Sequence, residues 1–104
     1  MIVGIDIGTQ SLKAVVTDDR LRPRGQASLA YRPCYPRPGW AEQDPGLWER
    51  ALGPAIGRAL AAAGCRPETI RALGVCGQLD GCVAVGRDGQ ALARCLIWSD
   101  RRAG

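Results

Sequence analysis

The chain has 104 residues, with 14 basic against 10 acidic side chains, five Cys, three Trp, no Phe and no His. This length fits one domain rather than two closing on a cleft, and the lack of His excludes Ser-His-Asp and Cys-His catalysis and the His-bearing zinc sites. The net charge of +4 comes almost entirely from scattered Arg, with no run of five like charges and no interleaved aromatics, so no nucleic-acid partner is expected.

In chain order, residues 2–7 (IVGIDI) alternate with the period of a strand, Val3, Ile5 and Ile7 on one face, Gly4 and Asp6 on the other. The turn Gly8-Thr9-Gln10-Ser11 leads to a second strand over 12–17. Asp18-Asp19-Arg20 is a turn signal, and 25–31 reads as a third strand; links this short favour an antiparallel meander. Pro33, Pro36, Pro38 and Gly39 make residues 32–44 an extended loop. Asp44-Pro45 is an N-cap followed by Pro at the first helical position, and apolar residues from Leu47 to Ala63 recur on one helical face up to a C-cap at Gly64. Pro54 inside that pattern predicts a kink or two short helices in series.

Residues 70–76 form a nearly continuous apolar run, expected to be a strand buried on both faces. Strands are expected again over 82–85 and 92–98, joined by a hairpin turn at Arg87-Asp88-Gly89. The five cysteines form no CxxC pair; Cys76, Cys82 and Cys95 lie in apolar runs, where Cys acts as a small hydrophobe, and a reducing compartment is expected. The opening MIVGIDIG has no basic stretch or cleavage signal, and no apolar run is long enough to span a bilayer, so no membrane partner and a cytoplasmic location are expected.

Three segments carry candidate chemistry. Asp6 at the polar end of a buried strand, followed by Gly8-Thr9-Gln10-Ser11, suits phosphate: Gly8 allows close backbone approach, successive N–H groups and the Thr9 and Ser11 hydroxyls cradle oxygens, and Asp6 offers a ligand to Mg²⁺. Lys13, the only Lys, falls on the face of Asp6. The same residues equally describe an ordinary hairpin with a surface Asp, and the P-loop spacing is absent. Gln78, Leu79 and Asp80 follow a buried strand, where ligand crevices form, and Gln78 and Asp80 suit a polyhydroxylated substrate; a plain turn is the alternative. Trp98, Asp100 and Arg101 could present a sugar with an apolar platform and charged groups, or be a core Trp with a solvated tail.

In their order, four segments carry more than each does alone: GIDIGTQSLKAVVTD, GWAEQDPGLW, IRALGVCGQLDG and LIWSDRR. Together they resemble the N-terminal part of the FGGY carbohydrate kinases, above all the xylulokinase-like branch, and span essentially the whole chain. The resemblance implies an α/β fold: a partial ribonuclease-H-like (actin-like ATPase) domain, a mixed sheet with antiparallel first three strands and one main helical segment. It further implies ATP and Mg²⁺ as cofactors, Asp6 beside the metal, Gly8 to Ser11 and Lys13 at the phosphates, and Gln78, Leu79, Asp80, Trp98, Asp100 and Arg101 at the sugar. Leu79-Asp80 stand where xylulokinases typically carry Met-His. The family's base and its adenine site lie downstream of the segments matched here, so no catalytic base is expected in residues 1–104, which on their own are expected to be inactive.

The activity implied for the whole protein is transfer of the γ-phosphoryl group to a hydroxyl of a ketopentose or related polyol. A non-catalytic sugar-binding or interaction module is the alternative. An actin- or chaperone-like ATPase shares the first segment only, and GQLDG and WSDRR count against it. Uncovered sheet edges in a partial domain predict self-association.

Overall fold

The computed structural model describes residues Met1–Gly104. Its main sheet begins as expected, with β1 (Ile2–Ile7), β2 (Ser11–Thr17) and β3 (Pro23–Ala30) in antiparallel succession. The chain then runs through the loop and a two-residue strand β4 (Glu42–Gln43), enters helix α1 (Pro45–Ala63), passes a 3-10 turn at Pro67–Thr69, and returns as β5 (Ala72–Gly77). β5 lies parallel to β1, Ile2 opposite Ala72 through Ile7 opposite Gly77, giving the strand order β3-β2-β1-β5. Connecting parallel neighbours takes a long crossover, which α1 supplies.

One face of this sheet packs on α1. Val3, Ile5, Leu12, Ala14 and Val16 meet Ala51, Ala55, Ala59 and Leu60 in the main core. The alternation read from β1 and β2 thus places the right residues inward, and Gly4, Asp6 and Lys13 fall on the opposite, open face. The alanines keep the helix close to the sheet. A Cβ on Gly25 would lie 2.4 Å from the Ala63 nitrogen and 2.5 Å from the Ala59 carbonyl oxygen, so β3 touches α1 backbone to backbone.

Both helix caps are as expected. The Asp44 carboxylate accepts from the Gly46 N–H at 2.9 Å, and Gly64 closes the helix in the left-handed region at φ 64°. The expected break at Pro54 does not occur: α1 is one helix of 19 residues. Pro54 and Arg50 are both exposed, so the carbonyl deprived of its partner faces water, and the core face of the helix is undisturbed.

Residues 70–76 require a larger correction. The strand exists, but all of β5 is exposed rather than buried on both faces. α1 lies over β2 and β3, so Leu73 and Val75 extend the apolar face of β1 with 53% and 58% of their surface exposed, and the outer edge of β5 has no partner strand. Cys76 and Cys82 are accordingly exposed, not apolar filler; of the three cysteines assigned that role only Cys95 fills it. All five are free thiols.

The remaining residues form a small second layer. β6 (Cys95–Leu96) pairs antiparallel with β4, and Ala41, Cys95 and Ile97 make a minor core. The expected strand over 92–98 shrinks to β6, and that over 82–85 to two single bridges, Cys82 with Leu96 and Val85 with Ala91, around the correctly placed turn at residues 87–88. No helix is long and apolar enough to cross a membrane.

Candidate functional site

The β1–β2 turn stands at the end of the sheet where β1 and β5 both finish. The Gly8 N–H donates to the Ser11 carbonyl at 2.9 Å, and a Cβ on Gly8 would sit 3.0 Å from that same oxygen, so only Gly closes the turn without a shift. Below it the Tyr31 hydroxyl donates to the Gly8 carbonyl at 2.5 Å. Burial, with the Asp6 charge adding to it, pushes the Tyr31 hydroxyl up to about 12, so it remains a donor across the neutral range. With Gly8 committed, the adjacent N–H groups of Thr9 and Gln10 have no partner in the chain. Two successive unpaired N–H groups at a turn form an anion-binding concavity.

Asp6 and Lys13 face each other across the β1–β2 ladder. Both are exposed on the open face and line one hollow of about 460 Å³ with Gly8, Thr9, Gln10, Ser11, Tyr35, Trp98 and Ser99. Gln78, Leu79 and Asp80 line an adjoining hollow of about 340 Å³ together with Trp48, Val83 and Cys95. Asp80 takes a left-handed backbone (φ 58°), a conformation that Asp tolerates better than bulkier residues, and its carboxylate is free of intrachain hydrogen bonds.

Thr9 joins the two hollows. The Trp98 indole donates to the Thr9 hydroxyl at 3.0 Å, and that hydroxyl donates to Gln78 Oε1 at 3.1 Å. Gln78 Nε2 donates to Gln43 Oε1 at 2.9 Å, Gln43 Nε2 donates to the Thr9 carbonyl at 2.8 Å, and the Trp48 indole donates to Gln43 Oε1 at 3.0 Å. Gln43 is 1% exposed, a buried amide whose oxygen and nitrogen are both hydrogen-bonded within the network.

Asp100 and Arg101 lie apart from both hollows. The Asp100 carboxylate accepts from the Ala41 N–H at 2.7 Å and from Arg102 Nε at 2.9 and 3.0 Å. Arg102 also reaches Glu42 at 2.7 Å and stacks 3.8 Å from the Trp40 ring centroid. The Arg102 guanidinium holds the Asp100 carboxyl well below the usual carboxylate range. Arg101 donates its N–H to the Gly39 carbonyl at 2.7 Å and its guanidinium to the Trp98 carbonyl at 3.2 Å. These contacts fasten residues 39–42 to the segment after β6.

Of the residues singled out in the sequence, Asp6, Gly8 to Ser11, Lys13 and Trp98 share one hollow, Gln78 to Asp80 line the next, and Asp100 and Arg101 brace the loop behind Trp98. Gln43, Tyr31 and Arg102 were missed. A two-residue strand has no periodicity to reveal it, and nothing local marks Gln43 as more than one polar residue ahead of a helix cap.

A family model described as the FGGY family of carbohydrate kinases, N-terminal domain, matches residues 1–104. A glycerol kinase of Verminephrobacter eiseniae is 38% identical over 104 residues, which are 98% of this chain and 20% of that protein. Among solved structures, a xyloylose kinase from Brucella ovis superposes with a TM-score of 0.91 at 34% identity, over 97% of this chain and 21% of that one. Xylulose kinase from Rhodospirillum rubrum gives a TM-score of 0.87 at 29% identity, over 98% and 21%. The chain thus spans about a fifth of the length of the relatives it matches, and its α/β arrangement is the actin-like ATPase fold of those kinases.

Proposed function

We infer the function of this chain from one premise: it belongs to the FGGY family of carbohydrate kinases, as the part that corresponds to their N-terminal domain. We propose that it supplies the phosphate turn and part of the acceptor-alcohol site of an ATP-dependent kinase that phosphorylates a hydroxyl of a ketopentose or related polyol. The observation that carries this reading is the meeting of two hollows at Thr9: unpaired N–H groups beside Asp6, Lys13 and the Trp98 ring in one, and Gln78 and Asp80 in the next.

In this reading the Thr9 and Gln10 N–H groups, the Ser11 hydroxyl and Lys13 hold phosphate oxygens, and Lys13 offsets their charge. The residues fit Mg²⁺ of the kind that arrives with a nucleotide. That ion keeps most of its waters and takes one or two carboxylates, and Asp6 is a single exposed carboxylate beside the turn, with no group of three or more His, Cys, Asp and Glu gathered anywhere in the chain. When bound, it would neutralise charge on the phosphates. Gln78 and Asp80 orient the acceptor hydroxyls, and the half-exposed Trp98 ring gives the sugar an apolar platform. Glycerol and xylulose are the acceptors named for the relatives, and both present the vicinal hydroxyls that such a hollow would bind.

The adenosine site and the base that accepts the acceptor's proton are assigned to sequence outside residues 1–104. The test is a pair of titrations on the isotopically labelled chain. MgATP is expected to shift the Thr9 and Gln10 amides, and xylulose or glycerol those of Gln78 and Asp80, without ADP release. Absence of both sets of shifts would overturn the reading; sugar-stimulated ADP release at an ordinary kinase rate would overturn the placement of the base.

A further inference from the structure

The hydrogen bonds around Thr9 close on themselves. Starting at its hydroxyl, the path runs to Gln78 Oε1, from Gln78 Nε2 to Gln43 Oε1, and from Gln43 Nε2 back to the Thr9 carbonyl, at 3.1, 2.9 and 2.8 Å. The sense of every bond is dictated by two indoles, because an indole N–H can only donate. Trp48 donating to Gln43 fixes which end of that amide is oxygen. Gln43 then requires the nitrogen of Gln78, which leaves the Gln78 oxygen to accept the single Thr9 hydroxyl proton. Trp98 takes an oxygen lone pair of the same hydroxyl.

Thr9 is therefore held at its hydroxyl and its carbonyl, and the N–H groups that remain free, its own and that of Gln10, mark the direction in which the turn can bind. Gln43 lines neither hollow and is almost fully buried, yet it supplies the two bonds that close the circuit. Resting on the phosphate-turn reading above, we propose that Gln43 is a positioning residue: through the ring it holds Thr9 so that two adjacent N–H groups are pre-organised for a polyphosphate. A donor fixed before the anion arrives loses no freedom on binding it, and that is where affinity is gained.

The test follows the Thr9 and Gln10 amides and the Trp48 and Trp98 indole resonances of the intact chain during titration with inorganic tripolyphosphate. Gln43→Leu and Gln78→Met each open the ring without changing a residue of the turn; Thr9→Val opens it at the hydroxyl and Thr9→Ser keeps it closed. The expected result is about tenfold weaker tripolyphosphate binding in the three opened variants and binding within about twofold of the parent in Thr9→Ser. The Trp98 indole resonance should move in Thr9→Val before any ligand is added, and stay in place in Thr9→Ser.

Parent-like affinity in Gln78→Met and Thr9→Val, with Thr9 and Gln10 still shifting, would overturn the positioning role and leave the phosphate turn intact. No shift at Thr9 and Gln10 in the parent chain would remove the phosphate reading and this inference with it. If Gln43→Leu fails to fold, the Gln78→Met and Thr9→Val results decide by the same criterion.

Discussion

Lys13 is exposed, forms no ion pair within the chain and lies directly across the ladder from Asp6. Its charge is free for a ligand and contributes little to the fold. Lys13→Met should weaken tripolyphosphate binding by about three- to tenfold while the thermal midpoint stays within experimental error; an unchanged affinity would remove Lys13 from the site. Tyr31 makes the opposite case, a half-buried hydroxyl bonded to the Gly8 carbonyl. Tyr31→Phe should cost about 1 kcal/mol in urea unfolding, the net worth of one such bond. It should also change the alkaline limb. Above the ordinary value of 10.0 the unfolded chain releases this proton while the folded chain keeps it until about 12, so stability falls with rising pH across that window. In the Phe variant that part of the fall should be absent.

The residues of the proposed phosphate turn stand close together in sequence: six positions between Asp6 and Lys13, on two strands and the turn that joins them, line one hollow. Gln43 was not legible. Its role depends on Thr9, 34 residues away, and Gln78, 35 residues away, and no local pattern connects them.

At the scale of elements, two glycine and proline positions separate local propensity from packing. Gly25 reads in the sequence as the start of a strand, and only the contact with α1 explains why no side chain is tolerated there. Gly25→Ala should destabilise by about 3 kcal/mol or more, because the clash is with helix backbone and cannot be relieved by a rotamer change. A loss under 0.5 kcal/mol, the range usual for an uncoupled surface change, would mean that β3 and α1 are less tightly apposed. Pro54 was expected to break the helix, and the helix runs through it because its unpaired carbonyl points to water. Pro54→Ala should then stabilise the chain by about 2 kcal/mol, measured by denaturant midpoint, since it restores a helical hydrogen bond with no new steric demand. The caps, the helix face and the first three strands follow from short-range rules and were legible. β4 and β6 were not, because two residues carry no period.

For the whole molecule, electrostatics and shape set what can be measured. Three carboxyls lie below their ordinary value near 3.8. The Gly46 N–H and Arg50 hold Asp44 down, and the Arg102 guanidinium holds Asp100 down. At Asp18 burial pushes upward, but hydrogen bonds from Arg22 and Arg20 outweigh it. Each is ionised in the folded chain at a pH where the unfolded chain has taken up a proton, so stability is fully present above the ordinary carboxylate value and is lost as pH falls below it. The thermal midpoint should be flat near neutrality and drop from about pH 4 downward. Asp100→Asn should flatten that drop while loosening residues 39–42, seen as faster amide exchange at Ala41. A midpoint independent of pH down to about 2 would contradict the carboxylate assignment.

The radius of gyration of 15.7 Å exceeds the roughly 13 Å of a compact chain this long. Only 14 of 104 residues are buried, because the core under α1 takes in one face of β1 to β3 and leaves β5 bare. The sequence by itself determined the alternation of β1 to β3, the capped helix, the turn between β1 and β2 and the family, since each is written in neighbouring residues whose periods and turn chemistry act locally. Tertiary structure alone decided that β5 is exposed, that Asp100 braces a loop, and that Thr9, Gln43 and Gln78 close a ring. Burial and hydrogen-bond partnership are properties of surfaces that meet across tens of residues, and a chain discloses them only once it has folded.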